Sequence, residues 1–204
     1  MYSVILADPP WHYKNYASEA GTTHSRARGA QKHYPTEKLE TLCAMPIEEL
    51  SADRCALFMW ATWPLIEDAF TLIRAWGFSY KTLAWEWVKL NSNNMGIFIG
   101  MGNYTRSNSE PCLLAFRGEP LPVAVNDVTS VIMSPVQQHS RKPSVQYDRI
   151  EALYPAARKL ELFARRRRAG WDVFGNQVVG SISLPPSNNR LQPTCPAADV
   201  EHHS

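Results

Sequence analysis

Cysteine is scarce in the 204-residue sequence and forms no motif. The four cysteines, Cys43, Cys55, Cys112 and Cys195, are widely separated, with no Cys-x-x-Cys pair and no histidine at ligand spacing. This pattern predicts neither a zinc site nor a disulfide framework. We therefore expect no metal, and reduced thiols in a cytoplasm.

Long apolar runs and an excess of one charge are also missing. The most apolar stretch, residues 55–66, is too short to cross a bilayer, and the N-terminus enters a predicted strand without a basic-then-apolar leader. A soluble intracellular protein without membrane contact is therefore expected. The formal net charge of +2 indicates no partner by itself.

Basic residues are nevertheless concentrated late in the chain, where acids are few. Such a segment suits the phosphates of a nucleic acid. For Arg149 and Arg158 taken alone, a solvated charged face is an equal alternative. The basic residues of this segment are Arg141, Lys142, Arg149, Arg158, Lys159 and the run 165–168.

Length and composition favour one domain. A hydrophobic content of 45% and a charged content of 20% are ordinary for a globular chain, and 204 residues suffice for one α/β domain. From Ser181 onward the sequence changes to Pro, Asn and Ser with isolated apolar residues. We therefore predict a single domain over residues 1–180 and a disordered tail over residues 181–204.

The stretch from Val4 to Trp11 carries the clearest functional signal. Its first four residues are apolar and predict a buried strand, which ends at Asp8 because the two prolines that follow cannot donate to a ladder. In an α/β sheet, ligands bind beyond the carboxyl ends of the strands. Asp8 is therefore a candidate site residue.

The segment Asp8-Pro9-Pro10 is also predicted to be stiff, with carbonyl groups that lack a local donor. A carboxylate and a fixed carbonyl can hold both hydrogens of an amino group and aim the nitrogen lone pair at an electrophile. Trp11 then offers a flat face to a planar ring, so an aromatic amine is the guest that fits. The alternative is an ordinary loop with Trp11 in the core.

The rest of the chain alternates strands and helices, which predicts an α/β fold. Apolar spacing predicts helices over residues 36–42, 46–50 and 63–76 and after Pro143. Strands are expected over residues 55–60, 80–90, 111–116, 131–136 and 159–165. The polar stretch 12–32 has no periodicity and is expected to form a loop over the site.

The four residues Asp8-Pro-Pro-Trp11 resemble the catalytic motif of methyltransferases that act on the exocyclic nitrogen of adenine. Such a match arises by chance in on the order of one chain in 10³ of this length. The variant with Trp is similar to that of the family named for the seventy-kilodalton subunit of mRNA-adenosine methyltransferase, which has phage and bacterial members. The resemblance runs from Val4 to about Val178 through four motifs in the family's order.

This resemblance implies a catalytic and substrate-binding set at the adenine. Asp8 and the carbonyl of Pro9 or Pro10 would hold the amine, and Trp11 would grip the ring. Two further residues match family positions near the substrate adenine. They are Tyr34, in a gate loop, and Glu110, beside the adenine pocket.

The resemblance also implies S-adenosylmethionine as the methyl donor. Lys142 lies in a segment similar to the family's Ser/His-Lys-Pro and would meet the donor's carboxylate. An ammonium beside a helix N-terminus independently suits an anion. Phe163 would line the donor, Arg165 would reach its ribose region, and the amides after Gly175 would bind it as well. The implied donor-binding set is Ala7, Asp8, Lys142, Phe163, Arg165, Asn176 and Gln177.

The implied fold is the Rossmann-like sheet of class I methyltransferases, with circularly permuted motif order and about seven mostly parallel strands, one of them antiparallel. The implied function is methyl transfer to the N6 amine of adenine in nucleic acid, with DNA favoured over RNA, in a prokaryotic cytoplasm or that of a phage host. Alternatives are an RNA adenosine methyltransferase, a non-catalytic nucleic-acid-binding subunit, and an enzyme for another planar amine such as cytosine or a glutamine amide. A homodimer or a partner subunit is compatible with each.

Overall fold

A computed structural model describes residues 1–12, 36–93, 95–102, 104–137 and 141–184. Its strands form one seven-stranded sheet in the order β5-β3-β4-β2-β1-β6-β7. Within it, β4 runs antiparallel to both its neighbours, and the other described pairings are parallel. The predicted α/β sheet is therefore confirmed. The strands are β1 (Tyr2–Ala7), β2 (Ser51–Trp60), β3 (Ser79–Leu90), β4 (Ser109–Arg117), β5 (Val131–Pro135), β6 (Lys159–Leu162) and β7 (Trp171–Phe174).

The described helices are short, and none is long and apolar enough to span a membrane. The third helix is preceded by a 3₁₀ turn and ends as predicted, because Gly77 takes a φ of +79° just past its cap. The first helix was predicted to begin at Thr36, which was wrong: the Thr36 hydroxyl contacts the His12 ring at 2.9 Å, and Lys38 is the N-cap. The helices are α1 (Leu39–Cys43), α2 (Ile47–Leu50), α3 (Ile66–Ala75) and α4 (Val145–Leu153).

Helices cover both faces of the sheet. Along β1, Ile5 and Ala7 pack in the core cluster that includes α1, α2 and α3, whereas Val4 and Leu6 pack in the cluster that includes α4. All four side chains are at most 1% exposed. Burial on both faces explains why β1 is a continuous apolar run rather than an alternating one.

The strand order reverses at β1, which creates a crevice. From β1 the chain passes to β2 on one side, and it later returns through α4 to β6 on the other side. Ligand sites of α/β sheets lie at such a reversal, beyond the carboxyl ends of the strands. Because β4 is antiparallel, its start lies at this same edge, with Glu110 opposite Trp87 of β3.

One strand boundary late in the chain differs from the prediction. Strand β6 ends at Leu162 rather than at residue 165, because Phe163 has a φ of 60° and leaves the extended region. At the start of the predicted tail, the Ser181 hydroxyl oxygen accepts from the Val173 N–H of β7, and Ile182 and Leu184 pack against the core. The remainder of the predicted tail, residues 185–204, lies outside the described residues.

Candidate active site

A cavity of about 150 Å³ opens at the carboxyl edge of the sheet, between β1, β6 and the start of α4. Side chains alternate along a strand, so Asp8 follows Leu6 toward the α4 face, and both line the cavity. Three other residues predicted from sequence also line it, namely Lys142, Phe163 and Arg165. The structure therefore brings together the end of β1, the segment before α4 and the segment after β6.

Four charged side chains form a continuous ion-pair chain at this edge. The Lys142 ammonium lies 2.8 Å from Asp8 Oδ1 and 3.2 Å from Glu110 Oε2. The other Glu110 oxygen, Oε1, accepts a hydrogen bond of 2.6 Å from Lys89 Nζ. These side chains are 10% to 20% exposed, so the pairs are mostly shielded from water. We call this set, Asp8–Lys142–Glu110–Lys89, the ion-pair chain.

The ion-pair chain keeps its buried members charged. Burial by itself would lower the pKa of Lys142, but the carboxylates of Asp8 and Glu110 outweigh it and raise that pKa. Burial would likewise raise the pKa of Glu110, but the ammonium groups of Lys142 and Lys89 outweigh it and lower that pKa. Lys142 therefore presents a fixed positive charge beside the cavity at neutral pH.

Glu161 is a cavity residue that the sequence analysis missed. Burial, together with the charge of Asp8, raises its pKa from 4.5 to about 7, although a hydrogen bond from the Tyr147 hydroxyl at 3.0 Å partly opposes the shift. Its second oxygen, Oε2, is buried and has no hydrogen-bond partner among the described residues. An acid between the two buried leucines of β6 was the available signal, because buried strands rarely carry an unpaired carboxyl.

Trp60 forms part of the cavity wall and links it to the core. Its indole N–H donates to Gln146 Oε1 at 2.6 Å, and the Lys142 ammonium lies 5.6 Å from its ring centroid. Its carbonyl accepts the indole N–H of Trp11 at 3.1 Å. Trp60 and Gln146 were also missed, although Trp60 ends a buried strand just as Ala7 does before Asp8.

The carbonyl groups of the two prolines both accept hydrogen bonds from backbone N–H groups. The Trp11 N–H donates to the Pro9 carbonyl at 2.8 Å, and the Glu37 N–H donates to the Pro10 carbonyl at 2.9 Å. The prediction that these carbonyls lack a local donor was therefore wrong for Pro9, whereas the donor to the Pro10 carbonyl comes from a distant segment. Each carbonyl oxygen has a second lone pair that can accept a further hydrogen from an amine.

Some predicted site residues do not line the cavity. Trp11 is 7% exposed and packs in the core cluster on the α1–α3 face, and Ala7 is fully buried in that same cluster. Glu110 does not line the cavity itself, but it forms an ion pair with Lys142, which does. Tyr34 lies outside the described residues. The roles of these residues at the adenine or the donor stay predictions.

Asn176 and Gln177 lie exposed in the turn after β7 and do not line the cavity either. Gly175, which precedes them, packs directly on the segment after β6, and that segment includes the cavity residue Phe163. A Cβ at Gly175 would lie 2.3 Å from the Ala164 carbonyl oxygen and 2.6 Å from the Ala164 nitrogen. Glycine at 175 is thus required for the close approach that holds Phe163 and Ala164 in place.

We expect Gly175→Ala to destabilise the protein by about 1–3 kcal/mol, because the added methyl forces the segment after β6 to move. Gly170→Ala is the matched comparison: a Cβ there meets nothing within 4 Å, so its positive φ alone acts. Urea unfolding of both variants measures the difference. Equal stability of Gly175→Ala and the wild type would contradict the close approach.

The basic segment divides into two groups. Four arginines are engaged within the protein: Arg149 with Thr129 and Val131, Arg158 with Asp172, Arg167 with the Val179 carbonyl, and Arg168 with Asp148 and Glu151. Arg149 and Arg158 are thus held by contacts within the protein. Arg141, Arg165 and Arg166 line the cavity, which gives its rim a positive charge. Among the described residues, no group of three or more His, Cys, Asp or Glu side chains could hold a metal.

Known proteins match this arrangement over nearly all of the chain. The sequence model of the MT-A70 family matches residues 2–177, a span that includes β1, the ion-pair chain and β7. The chain belongs to the MT-A70 family. This family assignment was predicted from the sequence and is confirmed, and it supports adenine-N6 methylation as the activity.

Individual relatives of this MT-A70 chain include bacterial, plant and animal proteins. The type II methyltransferase M.MunI of a Mycoplasma species is 36% identical over 196 residues, which cover 90% of this chain and 81% of that protein. An N(6)-adenosine-methyltransferase MT-A70-like protein of Arabidopsis thaliana is 31% identical and the human N(6)-adenosine-methyltransferase catalytic subunit METTL3 is 29% identical. The chain spans only 27% and 30% of those two longer proteins.

Proposed function

We propose that this MT-A70 chain transfers a methyl group from S-adenosylmethionine to the N6 amine of adenine in DNA. One observation carries the proposal: Asp8, fixed by two prolines just after β1, lies 2.8 Å from Lys142 in a shared cavity. The family supplies the reaction class. The cavity supplies a carboxylate for the amine and an ammonium for the donor.

Asp8 and the proline carbonyls would orient the amine. The nitrogen lone pair of an aromatic amine is delocalised into its ring, so alignment of the N–H bonds matters more than a strong base. With one N–H on the Asp8 carboxylate and the other on the Pro9 or Pro10 carbonyl, the lone pair points at the donor. Asp8 would also stabilise the positive charge that develops on nitrogen as its bond to the methyl carbon forms and the methyl–sulfur bond breaks. The sulfur would keep the electron pair of that bond, and the surplus proton on nitrogen would leave to solvent.

The residues around the cavity fit S-adenosylmethionine, which supplies a methyl group activated by a positively charged sulfur. Lys142 would receive its carboxylate, because that ammonium stays charged and lies at the cavity wall. The unpartnered oxygen of Glu161 would accept from an ammonium or hydroxyl group of the donor. Phe163 offers an apolar surface beside them. The cavity therefore provides complementary groups for the carboxylate of the donor and for its ammonium or a hydroxyl group.

We propose DNA rather than RNA because of the share of each relative's length that this chain covers. This chain spans 81% of the bacterial type II methyltransferase M.MunI, whereas it spans at most 30% of the two adenosine methyltransferases. The cavity rim with Arg141 and Arg166 would bind phosphates of either nucleic acid. A target inside a duplex must be flipped out to reach Asp8. We propose that this occurs in the cytoplasm, with a homodimer or a partner subunit supplying further contacts.

The test is a transfer assay with tritiated S-adenosylmethionine on DNA and RNA of matched sequence, in single- and double-stranded form. Nucleoside analysis of the product is expected to give N6-methyldeoxyadenosine. Label on N6-methyladenosine would reassign the substrate to RNA, and label on cytosine would remove adenine from the proposal. If the protein transfers nothing and calorimetry detects no donor binding, the chain is a non-catalytic subunit instead.

A further inference from the structure

Lys89 lies at the end of the ion-pair chain farthest from Asp8. It is the second-last residue of β3, its side chain is 15% exposed, and its ammonium lies 5.3 Å from the ring centroid of Trp87. It does not line the cavity. Any influence of Lys89 on the reaction must therefore pass through Glu110.

The geometry gives each oxygen of Glu110 its own cation. Oε1 faces Lys89 at 2.6 Å and Oε2 faces Lys142 at 3.2 Å. Lys89 and Glu110 are both held by the β3–β4 ladder, where Glu110 pairs with Trp87 and the Lys89 N–H donates to the Asn108 carbonyl at 2.8 Å. Lys142 comes from a distant part of the chain, before α4. The β3–β4 pairing therefore fixes the positions of Glu110 and Lys89 relative to each other, and Lys142 contacts this pair from a separate segment.

Lys89 sets the net charge of the ion-pair chain. With Lys89 present, two ammonium groups face two carboxylates, and Glu110 divides its attraction between two cations. Without Lys89, the remaining three groups carry a net charge of −1, and Glu110 attracts Lys142 alone. A carboxylate arriving at Lys142 would then be repelled by an excess negative charge in a partly buried place, where charges interact strongly.

We propose that Lys89 is a positioning residue for donor binding, which acts through Glu110 to keep the charge of Lys142 available for the donor's carboxylate. The inference rests on the proposed function, in which Lys142 meets that carboxylate. It predicts an effect confined to ligands that carry the carboxylate. A purely structural role of Lys89 would weaken every ligand of the cavity alike.

The experiment compares two ligands by calorimetry. S-adenosylhomocysteine carries the carboxylate, and S-adenosyl-3-thiopropylamine differs from it by lacking only that group. We expect Lys89→Met to weaken S-adenosylhomocysteine about tenfold and to leave the decarboxylated ligand within about twofold. Lys89→Arg should restore most of the affinity because it restores the charge. Lys81→Met, at an exposed position of the same strand, is the matched control and should change neither ligand.

The other outcomes are distinct. Equal weakening of both ligands in Lys89→Met, or no weakening of either, overturns the positioning role. Lys142→Met should show the same carboxylate selectivity, and if it does not, Lys142 is not the carboxylate site and Lys89 cannot act through it. Failure of the wild type to bind S-adenosylhomocysteine would instead refute the proposed function. Thermal melting of each variant identifies any that fails to fold.

Discussion

Asp8→Ala is expected to lower methyl transfer by about 10³-fold or more, while donor binding stays measurable. Removing one preorganised group that stabilises transition-state charge has an effect of that order, and here the same group also orients the amine. Lys142 loses one carboxylate but keeps Glu110 at 3.2 Å, so its ammonium remains in place for the donor. Single-turnover transfer of tritiated methyl measures the first quantity, and calorimetry with S-adenosylhomocysteine measures the second.

Two further variants separate the charge of Asp8 from its shape. Asp8→Asn keeps an acceptor oxygen near the amine but removes the negative charge, so we expect an intermediate loss of transfer. Asp53→Ala removes an exposed aspartate from β2, far from the carboxyl edge, and should retain full activity. Full activity of Asp8→Ala would disprove the assigned role, and loss of donor binding in that variant would show that Asp8 supports the donor site as well.

Sequence was sufficient for the parts of the site that depend on local chemistry. The run before Asp8 is apolar on every residue because β1 is covered on both faces, and the prolines end it, so the position of Asp8 follows from neighbouring residues alone. The turn at Gly77 follows in the same way from a local backbone requirement. The approach of Lys142 to Asp8 does not follow locally, and it was inferred from the order of family motifs.

The features of the site that the sequence did not predict depend on contacts between residues that are distant along the chain. Lys89 and Glu110 meet because β3 and β4 pair in one particular alignment, which no spacing rule specifies. The Pro10 carbonyl accepts a hydrogen bond from the N–H of Glu37, which lies far from it in the sequence. Trp11 matches a catalytic motif, yet its side chain turns toward the core of the opposite face. Side-chain direction after a proline pair depends on this packing rather than on the motif.

Glu161→Gln is expected to stabilise the free protein at alkaline pH. Folding raises the pKa of Glu161 from 4.5 to about 7, so the folded state binds the proton more tightly than the unfolded state. The stability that this provides is complete below about pH 4.5 and is lost as the pH rises through about 7. At pH 8 the variant should therefore be more stable than the wild type by up to about 3 kcal/mol, with little difference at pH 4.5.

Urea unfolding at several pH values tests this, because the glutamine keeps the oxygen that accepts from Tyr147 and removes only the ionisation. A difference in stability that does not vary with pH would show that folding does not shift the pKa of this carboxyl.

The same carboxyl should make donor binding pH-dependent in the opposite sense. If Glu161 accepts from the donor's ammonium, its ionised form binds that cation more tightly, and the affinity for S-adenosylhomocysteine should rise as the pH increases through about 7. Among the residues that line the cavity, Glu161 is the one whose pKa is raised to about 7, so the dependence is assigned to it. In Glu161→Gln the affinity should be lower and the rise should vanish. A rise that persists in the variant would assign it to another group and leave Glu161 a structural acid.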